Sequence, residues 1–251
     1  MKEIDIKQVK DECIKWIRDW FEINGKGCNA VLGLSGGKDS TIVAKLCVEA
    51  IGKDRVIGVA MPDTLQGLNE ADKIAEYLGI KFIYAPIDRI TNEYKNVFTG
   101  TEASTQTLQN IPPRVRMTML YAIAQTYNGR VIGTTNLDER LTGYFTKYGD
   151  GLACDIEPIE LLTVREVIKI GELLGLPKKW LYKVPSADLP HTKTDEEELG
   201  FSYSDFDDYI RNDNNVQKET VDKIENRIKK YLFKLKPIAH YVPYFDDENK
   251  R

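Results

Sequence analysis

From Ile6 to Phe21 the apolar residues Ile6, Val9, Cys13, Trp16, Ile17, Trp20 and Phe21 recur every three or four positions. That spacing predicts an amphipathic helix, and Asn24-Gly25 supplies its stop. Asn29–Leu34 is a short unbroken apolar run and predicts a buried strand. A polar Ser-Gly-Gly-Lys-Asp-Ser turn follows, and then a second helical pattern through Ile42, Val43, Leu46, Cys47 and Ala50. The alternation continues with strand signals at Arg55–Met61, Lys81–Ala85 and Arg130–Thr134. Helical signals fall at Asn69–Leu78 and around Pro113–Tyr127, the latter entered through two prolines that suit a helix start. Beyond these, helices are predicted at about Val164–Leu174, from about Tyr203, and at about Val216–Phe233, before a tail from Lys234 to Arg251.

Short apolar strands between amphipathic helices predict an α/β protein, a doubly wound parallel sheet with helices on both faces. In such sheets ligands lie beyond the carboxyl ends of the strands, near the point where the strand order reverses. Two loops qualify, Ser35–Ser40 and Thr134–Thr142. The polar, acidic stretch Val184–Gly200 around Pro185 and Pro190 breaks the pattern, and its length predicts a mobile lid. No internal repeat divides the chain, so a single domain over residues 1–251 is expected.

Composition narrows the classes. The 251 residues, 42% hydrophobic, suffice for one good core. Thirty-five basic against 39 acidic residues leave a net charge of −4, which gives no broad basic field for a phosphate backbone and disfavours nucleic acid. Four dispersed cysteines and two histidines exclude a zinc ribbon and a His-rich metal centre. The N-terminus lacks the apolar run of a signal peptide, and no stretch approaches the roughly 18 apolar residues of a spanning helix. A cytoplasmic protein without a membrane partner is expected.

The chemistry concentrates in Gly33-Leu34-Ser35-Gly36-Gly37-Lys38-Asp39-Ser40. Adjacent glycines expose backbone N–H groups, which with the helix N-terminus attract phosphate oxygens. Ser35 and Ser40 add hydroxyls and Lys38 a positive charge. A Walker A loop would need Gly at 32 and Ser or Thr at 39, where Leu32 and Asp39 stand. A dinucleotide fingerprint would need Gly at 35, where Ser35 stands. A plain turn, with Asp39 or Ser40 capping the next helix, is the competing structural reading. In the second loop Glu139 emerges on the same sheet edge, and two carboxylates with a pyrophosphate supply the hard oxygens that Mg²⁺ prefers. From spacing alone Glu139 reads equally well as an exposed acid in a first helical turn.

The Ser35–Ser40 motif resembles the Ser-Gly-Gly-x-Asp-Ser signature of the ATP pyrophosphatases. The run Leu-Thr-Gly-Tyr-Phe-Thr-Lys-Tyr-Gly-Asp-Gly, from Leu141 to Gly151, resembles a segment of the ammonia-dependent NAD synthetases. The similarity extends through Asp155-Ile156-Glu157-Pro158, Pro185–Leu189, Glu198-Leu199-Gly200 and Asp207-Asp208-Tyr209. It implies an adenine nucleotide alpha hydrolase-like fold and a ligase of NAD biosynthesis. With ATP as co-substrate and Mg²⁺, such an enzyme amidates deamido-NAD with ammonia through an adenylated carboxylate, giving NAD⁺, AMP and pyrophosphate.

The same resemblance implies ATP contacts at Gly33 to Ser40, Thr134 and Ser186, and magnesium ligands at Asp39 and Glu139, which with Lys38 would serve catalysis. Contacts to deamido-NAD fall on Arg114, Lys147 and Asp155, the last only if the loop before it bulges by one residue. Val164 stands where relatives often carry an ATP-contacting Lys, with Arg165 as a neighbouring substitute. Near the end the family's His-Lys pair has no clean equivalent, and Lys236, within Lys234-Leu235-Lys236-Pro237, is taken as the further contact to deamido-NAD. A homodimer is also implied, with Met117, Leu120, Tyr121 and Ala124 facing either the core or a partner. Another ATP pyrophosphatase and a non-catalytic nucleotide binder are the alternatives. The first leaves the Thr-Lys-Tyr-Gly-Asp-Gly segment unexplained, and the second has no need of both Asp39 and Glu139.

Overall fold

The computed structural model describes residues 4–63, 68–98, 100, 102–150, 153–183, 196, 199–211 and 216–241. Four parallel strands, β1 (Asn29–Gly33), β2 (Val56–Ala60), β3 (Lys81–Tyr84) and β4 (Gly129–Val131), form one sheet in the order β3-β2-β1-β4. The described helices are α1 (Ile6–Asn24), α2 (Lys38–Ile51), α3 (Leu68–Leu78), α4 (Asp88–Asn96), α5 (Thr105–Gln109) and α6 (Ile111–Thr126). They continue with α7 (Leu137–Thr142), α8 (Val164–Leu173), α9 (Lys178–Leu181), α10 (Tyr203–Ile210) and α11 (Lys218–Tyr231).

Alternation along the strands sorts the core into two layers. Ala30, Leu32 and Val56 face one side, where Ile17 and Phe21 of α1, Ile42 and Leu46 of α2, Ile74 of α3 and Ile170 of α8 pack. Val31, Ile57 and Val59 face the other, against Val115, Leu120 and Ile123 of α6. Val31 lies level with Ile57 on one flank and Val131 on the other. A smaller cluster, Phe201, Phe206 and Ile224 with Leu141 beside it, joins α10 and α11 to α7. The chain builds from β1 outward to β3, then crosses back to set β4 on the far side of β1. The strand order therefore reverses between β1 and β4, and the two predicted loops leave the sheet on either side of that crevice.

Several elements depart from the sequence pattern. β4 is shorter than Arg130–Thr134, because Ile132 makes only an isolated parallel bridge with Ile156 and Gly133 N–H turns to the Ile156 carbonyl at 2.8 Å. Helices α4, α5, α7 and α9 carry no apolar stripe that spacing would reveal. In α4 only Thr91 is buried. Of the stripe on α6, Met117, Leu120 and Ala124 belong to the core, while Tyr121 is 41% exposed. The predicted lid at 184–200 lies mostly outside the described residues, and Ser186 with it.

Candidate active site

The turn after β1 is held by its own serines. Gly37 N–H donates to Ser35 Oγ at 3.2 Å, Ser35 N–H reaches Ser40 Oγ at 3.3 Å, and the two hydroxyls lie 3.1 Å apart. Ser40 and Thr41 hydroxyls both donate to the Gly37 carbonyl. Gly36 sits at φ +80, where a Cβ would meet Glu70 at 3.1 Å, so only glycine fits without strain. Gly37 is the N-cap of α2, and no side chain caps this helix. The competing reading, Asp39 or Ser40 as a cap, is therefore excluded, and the first-turn N–H groups stay available to an anion.

Asp39 and Glu139 meet across the crevice. Together with Ser35, Gly37, Ser40, Thr134, Thr135, Tyr144, Phe145 and Asp150 they line one cavity of about 220 Å³. Asp39 Oδ2 pairs with Lys38 Nζ at 3.0 Å, while Asp39 Oδ1 is buried without a hydrogen-bond partner. Glu139 is placed by a capping box on α7. Asn136 Oδ1 accepts from Glu139 N–H at 3.0 Å, and Glu139 Oε2 accepts from Asn136 N–H at 3.1 Å. Burial, and after it the neighbouring Asp39, push the Glu139 pKa well above the carboxylate range. A cation would relieve both effects.

The donor set fits magnesium. It offers carboxylate and hydroxyl oxygens, with Asp39 Oδ1 buried and unpartnered, and among the described lining residues no thiol or imidazole. Among the described residues no group of three or more His, Cys, Asp and Glu could hold a metal by itself. The remaining ligands of an ion here would be phosphate oxygens and water, the usual arrangement for Mg²⁺.

The far end of α7 is fastened by α11 and by the 3-10 turn Leu232–Leu235 that follows it. Lys234 Nζ donates to the carbonyls of Gly143 and Phe145 at 2.6 and 2.5 Å, and Arg227 Nε donates to the Thr142 carbonyl at 3.0 Å. Two cations on the last carbonyls of a helix also favour its dipole. Lys234 is thus bound to the end of α7, while Lys236, two residues on, is exposed. Gly143 caps α7 at φ +65, and a Cβ there would stand 2.2 Å from Tyr231 Cβ. Gly143→Ala is expected to cost on the order of 2–4 kcal/mol through overpacking and backbone strain. Urea unfolding measures it, and a loss below about 1 kcal/mol would show that α11 yields freely.

Two buried acids to which the sequence assigned no role hold the start of α8. Asp138 is fully buried and Asp207 of α10 is 3% exposed. Both accept from the first N–H groups of α8, Asp138 from Val164 and Asp207 from Arg165, each at 3.3 Å. Their other oxygens, Asp138 Oδ2 and Asp207 Oδ1, are buried without partners, and one shared proton would satisfy both. Burial, then the charge of Asp207, push Asp138 up to about 8. Lys38 and Arg165 are the cations facing the pair, and Arg165 also pairs with Asp208 at 3.0 Å. Arg165, the neighbour of Val164, is thus tied to α10 through both Asp207 and Asp208.

A proton bound more tightly in the fold than in the unfolded chain stabilises fully below the ordinary carboxylate value, about 4, and that stabilisation is lost as pH rises. The loss should extend until about 8, the folded value of Asp138. Thermal unfolding should therefore show a falling contribution across that window, and Asp207→Asn should flatten it. Parallel pH profiles for wild type and variant would count against a shared proton.

The dinucleotide candidates lie to one side. The Thr146–Asp150 turn docks on the start of α6, where Thr146 Oγ1 donates to Asn110 Oδ1 at 2.8 Å and Gly149 abuts Pro113 and Arg114. Arg114 Nε reaches the Lys147 carbonyl at 3.4 Å, so the structure brings these two together. Asp155 accepts from Val131 N–H at 2.7 Å and from the Tyr121 hydroxyl at 3.5 Å. Tyr121 is seven residues along α6 from Arg114, two turns or roughly 10 Å on the same face. Arg114, Tyr121 and Asp155 are all exposed.

This arrangement places the chain among the adenine nucleotide alpha hydrolase-like proteins, the fold class of the ATP pyrophosphatases. Comparison with known proteins carries the assignment further. The model of the NAD synthase family matches residues 9–238. An NH(3)-dependent NAD(+) synthetase of Thermoplasma acidophilum is 40% identical over 188 residues, covering 74% of this chain and 77% of that protein. One from Methanocaldococcus jannaschii is 38% identical over 246 residues, 90% of this chain and 93% of that one. The solved structure of an NMN synthetase from Francisella tularensis superposes with a TM-score of 0.85 at 31% identity, covering 97% of this chain and all of that one. The chain belongs to the NAD synthase family.

Proposed function

We propose that this chain is an ammonia-dependent NAD⁺ synthetase acting as a single domain over residues 1–251, soluble in the cytoplasm. The observation that carries the reading is the shared cavity, which sets the uncapped phosphate turn of α2 opposite Glu139 and beside the Tyr144–Asp150 loop. The reaction is the ATP-dependent amidation of deamido-NAD to NAD⁺. A free carboxylate is a poor acyl donor because oxide would have to leave. The nicotinate carboxylate therefore attacks the α-phosphorus of ATP and displaces pyrophosphate, and ammonia then attacks the activated carbonyl and releases AMP.

Each residue then has a task. The Gly36–Gly37 turn, the first N–H groups of α2 and the hydroxyls of Ser35 and Ser40 hold the phosphates, with Thr134 alongside. Asp39 and Glu139 would hold Mg²⁺, which when bound neutralises pyrophosphate charge. Arg114 and Lys147 would take a phosphate or carboxylate of the dinucleotide, and Tyr121 beside Asp155 marks how far its binding face extends. No side-chain nucleophile is needed.

The likeness to an NMN synthetase makes the mononucleotide a second acyl substrate to compare. Pure protein is incubated with ATP, Mg²⁺, ammonium and either deamido-NAD or nicotinate mononucleotide, and NAD⁺, NMN and AMP are read by mass. NAD⁺ with stoichiometric AMP is expected. Amidation of the mononucleotide alone would overturn the dinucleotide assignment.

The reading includes a homodimer. The core takes Met117, Leu120 and Ala124, so the partner would meet the exposed face of α6 that carries Arg114, Thr118 and Tyr121. A dinucleotide held on so open a face needs a second wall. Light scattering at micromolar concentration should give twice the mass of one chain, and a fully active monomer would refute the shared site.

A further inference from the structure

We propose that Lys38 is the metal's built-in rival at Asp39: its ammonium neutralises this carboxylate until magnesium and ATP enter together, and then transfers to the ATP phosphates. The inference rests on reading the cavity as an ATP site with a carboxylate-held metal.

The pairing is not a default of the helix. Lys38 and Asp39 are successive residues of the first turn of α2, and neighbours one apart on a helix point in different directions. Yet Lys38 Nζ folds back to lie 3.0 Å from Asp39 Oδ2, with both side chains mostly enclosed. The charge around it accounts for this. Burial works against the ammonium, but Asp39, Glu139 and Asp138 together outweigh it and hold its pKa above the ordinary lysine value. Lys38 is therefore a cation stationed among the carboxylates that would ligate the metal.

A dication on Asp39, reached through the unpartnered Oδ1, would stand close to that ammonium and repel it. Lys38 has a flexible four-carbon stem and three donors, so it can move. The uncapped N-terminus of α2 beside it is where ATP phosphates would offer a new partner. Metal alone must displace Lys38 from Asp39 without bringing it a new anion, whereas metal with ATP supplies phosphate oxygens. Metal and nucleotide affinities are thereby coupled through one side chain, and by linkage the coupling is reciprocal.

The test is Mn²⁺ binding to nucleotide-free protein, followed by electron paramagnetic resonance, for wild type, Lys38→Met and Lys38→Gln. Removing the rival charge should tighten Mn²⁺ binding on the order of tenfold in both variants. Adding α,β-methylene-ATP should strengthen Mn²⁺ binding markedly in wild type and much less in the variants. In Lys38→Met/Asp39→Asn the gained affinity should vanish, which locates the ion at Asp39. Unchanged or weaker Mn²⁺ binding in the folded Lys38 variants would overturn the proposal, as would affinity that survives loss of Asp39. These titrations need no turnover. An absence of NAD⁺ formation would fail the proposed function while leaving the competition at Asp39 decided on its own.

Discussion

Asp39→Asn is expected to lower kcat at least about 100-fold while leaving the fold intact, the scale seen when one preorganised electrostatic group is removed from a reacting centre. The substitution keeps the size and one oxygen of the side chain but removes the anion. Asp39 Oδ1 has no hydrogen-bond partner among the described residues, so none of their hydrogen bonds depends on it. What is lost is the charge that would hold Mg²⁺ against the pyrophosphate, together with the counter-charge of Lys38. Glu139→Gln should act in the same direction, because its amide oxygen can still accept from Asn136 N–H and preserve the capping box. Steady-state rates as a function of Mg²⁺, with circular dichroism as the control for folding, check both. Wild-type turnover with unchanged Mg²⁺ dependence in either variant would remove that residue from the metal site.

The parts legible in the sequence were those where hydrophobic period and site chemistry coincide. The run Asn29–Leu34 could only be buried, and the turn after it could be separated from a Walker A loop by Leu32 and Asp39 alone. The strand order could not be read that way, but the rule that ligands gather where it reverses pointed to two loops, and these line one cavity. α4 escaped notice because its one buried residue is Thr91, and α7 because six residues give too short a stripe to show a period. A different signal was present there: Asn136 followed three residues later by Glu139 is a capping box, and it also fixes the carboxylate. Asp138 and Asp207 were hidden for a physical reason. Their roles depend on facing each other across 69 positions, and no local pattern records that two acids will share one helix N-terminus. Near the C-terminus Lys234 and Lys236 fit the sequence pattern alike, and only the folded chain shows that Lys234 is the one bound to the Gly143 and Phe145 carbonyls.

Ammonium is expected to support NAD⁺ formation by this chain, and glutamine freed of ammonia is not. Using glutamine would require a nucleophile to open its amide, in practice an activated cysteine thiolate with a base beside it. The chain has four cysteines, and the environment of each opposes that role. Burial pushes Cys13 up to about 11 and raises Cys47 and Cys154 as well. Cys13 donates to the Pro158 carbonyl at 3.5 Å and Cys154 to the Ile156 carbonyl at 3.3 Å, acceptors that hold a thiol protonated. Cys28 is 5% exposed and faces Asn128 Oδ1 at 3.5 Å. The nitrogen must then arrive as neutral ammonia, the form with a lone pair for the adenylated carbonyl. At a fixed, subsaturating total of ammonium the rate should rise steeply from about pH 7 to about pH 9 as that form grows. Plotted against the concentration of neutral ammonia, the same rates should fall close to one line. Comparable rates with purified glutamine, using this chain alone, would show that a thiol here is reactive after all. A rate indifferent to pH at low ammonium would show that free ammonia is not the species that attacks.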